Sequence, residues 1–312
     1  MQQTRYLNPY LKYNGSKTKL APIIAELYWQ FFNEHTFVDL FCGSASVAFA
    51  VNSPKTALFD GNHDIVNIHR QARNGILYPL DLGDTLETFR EEFLALREEF
   101  NGNEWEKYSR IRAIAYYTLI MHGFQGLCRG SSATKYNVPP AESGKGSVPK
   151  ISTAMKKSLT ENPGHMKSWV IDEFAFREKG DLETLVYSID TPFIYIDPPY
   201  HEVHQKGKNV GKTKASQSYY GEPFDWVQQA DLAEFAGESK APAILSNNQT
   251  EQIVDLYKEK GLTVYSTFRP NTISCKASTR SKKKLEVFAV NNALLEKEGT
   301  GDFLGEAFGS PL

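Results

Sequence analysis

A chain of 312 residues has room for one large domain or two medium ones around a substantial core. No apolar run reaches the length of a membrane span and no signal-peptide pattern opens the N-terminus. The three cysteines, Cys42, Cys128 and Cys275, lie too far apart for metal-ligand spacing or a disulfide framework, which fits a reduced, cytoplasmic setting.

The net charge of −2 counts mildly against a polyphosphate partner, because neutralising phosphates takes clustered cations. Clusters nonetheless exist: Lys145, Lys150, Lys156 and Lys157, then Lys206, Lys208, Lys212 and Lys214, then Arg280, Lys282, Lys283 and Lys284. Each run alone reads as a solvated face. Three runs beside loops shift the balance toward an anionic partner.

In chain order, PYLKYNGSKTKL (9–20) comes first. Asn14-Gly15-Ser16 is a turn signal, with Ser16 placed to cap a helix through Leu20, Ile23, Ile24 and Leu27. Lys12 and Lys17 flank the turn, so it suits an anionic group. TFVDLFCGSASVAFA (36–50) reads as a buried strand carrying Asp39, a turn of small residues and the start of a helix. That is the nucleotide-binding strand–turn–helix geometry, but Gly43 is its one glycine. The turn therefore suits a ligand with an amino-acid end and a ribose better than a dinucleotide. ALFDGN (57–62) is a second strand ending in an acid about twenty residues after Asp39, the offset at which a carboxylate meets ribose hydroxyls. Asp60 is the ribose candidate, with Asp64 as the fallback or a plain helix-start acid.

From about Arg70 to Met166 the pattern changes. Phe89, Phe93, Leu96 and Phe100 recur at helical spacing, and so do Ile111, Ala115, Tyr116, Leu119 and Ile120. Both stripes read as core. A long segment without periodicity follows, HGFQGLCRGSSATKYNVPPAESGKGSVPK (122–150). A loop of this length in a compact domain is usually functional or disordered. Its Gln125, Arg129 and Asn137 are of the types that read base edges. The plainer reading is a lid over a small-molecule site.

Asp181 is expected to end a short strand at the same sheet edge as Asp39 and Asp60. TPFIYIDPPY (191–200) then reads as a buried strand stopped by a proline pair. Proline biases the preceding residue toward extended geometry, so Asp197 is held at the strand end with Tyr200 just past the turn. In an open α/β sheet that is where ligands bind. A carboxylate, two prolines and an aromatic ring there suit a flat ring bearing an amine; the plainer reading is a strand-terminating turn. A helix from Asp225 through Phe235, a strand at 243–245 ending Ser246-Asn247-Asn248, a helix at 251–260 and two β-rich stretches at 262–268 and 285–290 complete the pattern. The Gly-rich tail after Lys297 is expected to be disordered. No internal repeat is visible.

These motifs together resemble the Dam-like (alpha-class) DNA adenine N6-methyltransferases, from Pro9 to Asn292. KYNGSK resembles the N-terminal cofactor motif, FVDLFCGSA the methionine-binding turn and ALFDGN the ribose motif. FQGLCRGSSATKYNVP resembles the family's FNGLxRxNxxGxFNVP target-recognition stretch, DPPY is its catalytic tetrapeptide, and AILSNN and ISCKASTRSKKKLEVFAV resemble its later motifs. The chain departs from the pattern at Ser44 and Ala45, where glycines are frequent, at Gln125 in place of Asn, after Arg129, and in the long basic loop 202–217.

The resemblance implies an α/β, Rossmann-like methyltransferase fold: a mixed, mostly parallel sheet with an inserted, mainly helical target-recognition domain. Residues 1–69 and 167–294 would form the discontinuous catalytic domain, 70–166 the insertion and 295–312 a flexible tail. The implied reaction is methyl transfer from S-adenosyl-L-methionine to a flipped adenine in double-stranded DNA, with GATC as the implied target and no metal. Asp197 and the Pro198 carbonyl would accept the two amine hydrogens and Tyr200 would stack on the base. Tyr13 and Lys17 would hold the cofactor's amino-acid end, Asp60 its ribose and Asp181 its adenine, with Asp39 and Gly43 shaping the turn and Asp197 bordering the same site. Arg129, Asn137 and Arg280 are the DNA-contact candidates, and a restriction endonuclease is an admissible partner. Three alternatives stay open: methylation of RNA, methylation of a protein glutamine on a related fold, and a catalytically inactive DNA-binding module.

Overall fold

In a computed structural model, the described residues are 6–13, 15–102, 104–127, 135–142, 147–200, 202–203, 213–214, 224–270 and 283–312. The strands are β1 (Thr36–Asp39), β2 (Thr56–Asp60), β3 (Val170–Glu173), β4 (Pro192–Ile196), β5 (Glu202–Val203), β6 (Thr213–Lys214), β7 (Ala243–Asn248), β8 (Thr263–Pro270) and β9 (Lys283–Val290). Seven form one sheet in the order β3-β2-β1-β4-β7-β9-β8, and β5 and β6 make a separate two-stranded ribbon. β2–β3, β1–β4 and β4–β7 pair parallel, while β9 runs antiparallel to both β7 and β8. This is the α/β, mostly parallel mixed sheet that the sequence leads one to expect.

The helices are α1 (Ala21–Phe31), α2 (Ser46–Val51), α3 (His63–Arg73), α4 (Leu86–Gly102), α5 (Arg110–His122), α6 (Thr153–Glu161), α7 (Lys179–Tyr187), α8 (Trp226–Glu238), α9 (Glu251–Glu259), α10 (Asn292–Leu295) and α11 (Thr300–Phe308). Side chains that satisfy free first-turn amides start several of them. Asn62 accepts from Asp64 N, Asp225 from Gln228 N and Thr250 from Ile253 N.

Two compact units share the chain. One comprises Met1–Ala21, Cys42–Ala175 and Ser218–Glu222; the other comprises Pro22–Phe41, Phe176–Gln217 and Pro223–Leu312. In the first, β2 is buried along its whole length, as a strand covered on both faces must be. The expected stripe Phe89, Phe93, Leu96 and Phe100 is the buried face of α4. In the second, β4 is the central strand. Its Phe193 sits 5.6 Å from the Tyr28 ring, 5.0 Å from Phe32 and 6.1 Å from Phe37, centroid to centroid. The β1–β4 register pairs Phe37 with Phe193 and Asp39 with Tyr195.

Three local expectations are corrected. Ser16 does not cap α1, which starts at Ala21 after a turn in which Leu20 N and Ala21 N donate to the Lys17 carbonyl. Asp181 does not end a strand: it lies in the first turn of α7, where its Oδ2 accepts Arg177 N and Glu178 N. The strand paired with β2 is β3, ending at Glu173, a stretch without an apolar run. The tail is not loose either. α11 buries Leu304, its Phe308 stacks on Phe288 at 4.6 Å, and Leu312 N donates to the Val264 carbonyl at 2.8 Å.

Candidate active site

In the first unit, the turn after β1 is docked on the end of β2. Cys42 N donates to the Phe59 carbonyl at 2.9 Å and Gly43 N to Asp60 Oδ2 at 2.9 Å. Asp60 Oδ1 accepts Asn62 N at 2.8 Å. Burial pushes the Asp60 carboxyl up to about 6, and the two amides hold it from rising further. Gly43 has φ +47°, and a Cβ there would come within 2.9 Å of the Tyr13 ring. Glycine is therefore required twice, for the backbone conformation and for the approach of Tyr13. Tyr13, Gly43 and Asp60, three of the expected cofactor residues, are brought together.

Two residues absent from the sequence reading complete this cluster. His69, fully buried on α3, lies 2.8 Å from the Gly43 carbonyl through Nε2 and 2.5 Å from the Tyr10 hydroxyl through Nδ1. Burial lowers its pKa to about 4, so the ring is neutral. Burial also keeps the Tyr10 hydroxyl protonated, so it donates to Nδ1 and Nε2–H donates to Gly43. Both main-chain groups of Gly43 are thus committed. No short motif marks His69, which lies 26 residues along the chain from Gly43.

Lys17 is nearly buried. Its amide donates to Ser46 Oγ at 3.1 Å and its ammonium to the Gly15 carbonyl at 3.0 Å. This ties the first turn to the start of α2. The fallback acid Asp64 is committed to Arg112, whose Nε and Nη2 reach its two oxygens at 2.6 and 2.8 Å. It belongs to packing.

Within the long segment 122–150, residues 122–124 and 139–141 close on each other. Phe124 N donates to the Pro139 carbonyl at 2.9 Å and Ala141 N to the His122 carbonyl at 2.8 Å. Asn101 grips the Tyr136 main chain twice, donating from Nδ2 to its carbonyl at 2.9 Å and accepting its amide on Oδ1 at 2.8 Å. Asn137 follows, half-buried. Ala45 and Gln125, two of the positions where the chain departs from its resemblance, both have a φ of +54°. Arg129 and Arg280 lie outside the described residues, as does most of the basic loop 202–217.

In the second unit, Asp197 follows β4 directly, and Leu40 N donates to the Tyr195 carbonyl at 3.1 Å, extending the pairing to the strand ends. Asp39 is buried at the end of β1. Pro198 is buried; Asp197, Pro199 and Tyr200 are half-buried. Burial and the adjacent Asp197 push the Tyr195 hydroxyl well above its ordinary value, so it stays protonated beside Ser246 Oγ at 3.1 Å. Tyr200 donates to Glu286 Oε1 at 2.8 Å and the Pro199 carbonyl accepts Gln229 Nε2 at 2.8 Å. No local motif marks Glu286 or Gln229 as partners of this turn. Asp181 lies in the first turn of α7, as described above.

Among the described residues no helix is long and apolar enough to cross a membrane, and no group of His, Cys, Asp and Glu has the makings of a metal site.

Comparison with known proteins identifies the family. The DNA adenine methylase of Serratia marcescens is 26% identical over 288 residues, covering 88% of this chain and 94% of the relative. The retron Ec67 DNA adenine methylase of Escherichia coli is 23% identical over 296 residues, 92% of each chain. The DNA adenine methylase of Haemophilus influenzae is 24% identical over 259 residues, covering 80% of this chain and 82% of the relative. The family model described as D12 class N6 adenine-specific DNA methyltransferase matches residues 13–271. The chain therefore belongs to the D12 class of N6 adenine-specific DNA methyltransferases, enzymes that use S-adenosyl-L-methionine.

Proposed function

We propose that this methyltransferase acts on a single adenine flipped out of duplex DNA at a short specific site, and that Asp197, Pro198 and Tyr200 carry the transfer. The observation behind this reading is the position of Asp197. It stands directly after the buried central strand, in a parallel stretch flanked by β1 and β7, with Asp39 at the neighbouring strand end. Crevices at the carboxyl ends of such strands are where open α/β sheets bind ligands.

The exocyclic amine of adenine is a poor nucleophile because its lone pair is delocalised into the ring. Asp197 accepting one N–H and the Pro198 carbonyl accepting the other localises that pair and aims it. After transfer, Asp197 is placed to take the proton that the methylated nitrogen sheds. Tyr200 stacks on the extruded base, a contact worth roughly 1–3 kcal/mol. Extrusion is required because the amine cannot be reached inside the stack.

The cofactor, when bound, supplies an electrophilic methyl on a sulfonium. Tyr13, Lys17, Gly43 and Asp60 suit it. Asp60 presents a buried carboxylate whose remaining lone pairs accept ribose hydroxyls, and the Gly43 turn lets an aromatic ring lie against bare main chain. By resemblance Asp39, at the end of β1, would shape the turn that follows. Asp181, held by its own helix start, is the weakest member of the set. Residues 1–69 and 167–294 are proposed as the catalytic part and 70–166 as the target-recognition part. Arg129, Asn137 and Arg280 would meet DNA, GATC would be the target, and a cytoplasmic setting and a restriction endonuclease partner accompany the reading.

Two measurements test it. Asp197→Ala should abolish transfer while S-adenosylmethionine affinity stays within about threefold, since the variant removes an acceptor for the base. Near-normal turnover in that variant would remove the mechanism. Sequencing methylated positions in DNA from cells that express the protein gives the target, and adenines modified without a shared flanking sequence would overturn site specificity.

A further inference from the structure

We propose that Gln229 and Glu286 are positioning residues for the transfer: two buried side chains that preset the Pro199–Tyr200 half of the catalytic turn before DNA arrives. The proposal rests on the reading of Asp197–Tyr200 given above and adds what holds that tetrapeptide in shape.

The need for such partners follows from the sequence of the turn. Pro198 and Pro199 have no amide hydrogen, so two successive residues cannot be anchored by donating to a carboxylate or carbonyl. The turn also lies beyond the end of β4, outside the strand ladder. Carbonyl oxygens and the Tyr200 side chain are handles that remain, and the structure holds one of each. Gln229 on α8 is 1% exposed and donates from Nε2 to the Pro199 carbonyl at 2.8 Å. Glu286 on β9 is 2% exposed and accepts the Tyr200 hydroxyl at 2.8 Å.

Gln229 can serve in one orientation alone. Its Oε1 accepts Asn247 Nδ2 at 2.9 Å, and Asn247 Nδ2 also lies 3.2 Å from the Tyr257 hydroxyl. Asn247 Oδ1 accepts Asn248 N at 2.8 Å, which fixes which end of the Asn247 amide faces Gln229. Turning the Gln229 amide over would set its oxygen against the Pro199 carbonyl and its NH2 against the Asn247 NH2. The carbonyl after Asp197-Pro198 is therefore held by a chain of fully buried groups that runs across to β7 and α9. Glu286, on the strand next to β7, fixes the plane of the Tyr200 ring by holding its far end. Buried polar groups with every contact made rigidify a site in this way, and pre-set geometry is what orients a reacting base.

The test uses the full-length enzyme, S-adenosylmethionine and a duplex carrying the mapped target, with the target adenine replaced by 2-aminopurine in the fluorescence arm. Gln229→Leu and Glu286→Leu keep side-chain volume and remove the hydrogen bonds. Each should lower kcat at least tenfold and leave the cofactor Kd within about threefold. Glu286→Gln keeps an acceptor and should recover most of the lost kcat. Tyr200→Phe should match Glu286→Leu, and Tyr200→Phe combined with Glu286→Leu should cost little more than either alone. Glu286→Leu should also raise 2-aminopurine fluorescence above wild type, because an extruded base that is poorly stacked is less quenched.

Wild-type kcat in the two leucine variants, or wild-type fluorescence in Glu286→Leu, would overturn the proposal. So would strict additivity of the double variant, or an unrescued kcat in Glu286→Gln at an unchanged thermal midpoint. Retained turnover in Asp197→Ala identifies a different failure, that of the tetrapeptide reading itself.

Discussion

Gly43 donates its amide to Asp60 at 2.9 Å, so the turn after β1 and the acid that ends β2 form one object. Keeping that acid buried with a pKa of about 6 costs stability at neutral pH, as expected of a carboxylate proposed to receive a ligand's hydroxyls. Asp60→Asn should weaken S-adenosylmethionine binding about tenfold to a hundredfold at pH 7.5, the loss of a charge-assisted hydrogen bond or two. The same variant keeps one of the two amide hydrogen bonds and sets its NH2 against the other amide, so it should be less stable at that pH by about 1–3 kcal/mol. Calorimetric titration reads the first outcome and denaturant unfolding the second. Unchanged affinity would take Asp60 out of the site.

Asp60 and His69 oppose each other in acid. His69 falls from its ordinary 6.5 to about 4 in the folded chain, so between those values the unfolded chain binds the extra proton and stability drops as pH falls. Asp60 rises from 3.8 to about 6, so the folded chain binds the extra proton in that window and stability gains as pH falls. Each effect is on the order of 3 kcal/mol, and over the shared window they largely cancel. Asp60→Asn removes the rising limb alone. Relative to wild type, its unfolding free energy should decline as pH goes from 6.5 to 4, in denaturant titrations at stepped pH. Parallel curves for the two proteins would show that the limbs do not oppose.

Asn101 holds Tyr136 by both main-chain groups. Asn101→Ala should loosen the segment proposed for target recognition and raise KM for DNA about fivefold or more, the worth of one to two hydrogen bonds. The cofactor Kd should not move. Steady-state kinetics against DNA concentration check this, and an unchanged KM would separate the segment from DNA contact.

The C-terminal helix is integral to its unit. A chain truncated after Glu298 loses the buried Leu304 and the Phe308–Phe288 stack, and should be less stable by about 3 kcal/mol or more. The midpoint of thermal unfolding reads the change. An unaltered midpoint would restore the picture of a flexible tail.

Elements with strong local signals were legible in advance. β4 announced itself by an apolar run stopped by prolines, and the stripe on α4 by four residues at helical spacing. The tail was misread because its glycines argue for looseness while its docking depends on Phe288, on a strand the tail's own sequence cannot reveal. β3 was missed because half of its four residues face solvent or nearly so, leaving no apolar run to see.

The candidate site divides along the same line. The sequence alone determined which residues are proposed for the chemistry, because Asp197-Pro-Pro-Tyr200, Gly43 and Asp60 belong to short stretches whose residue types are set by local backbone and ligand demands. Tertiary structure alone decided what holds them. Tyr10, His69, Gln229 and Glu286 come from elements distant in the chain, and Glu286 meets Tyr200 across 86 residues. A buried hydrogen bond constrains two positions at once, and until the chain folds nothing in either one's neighbourhood names the other.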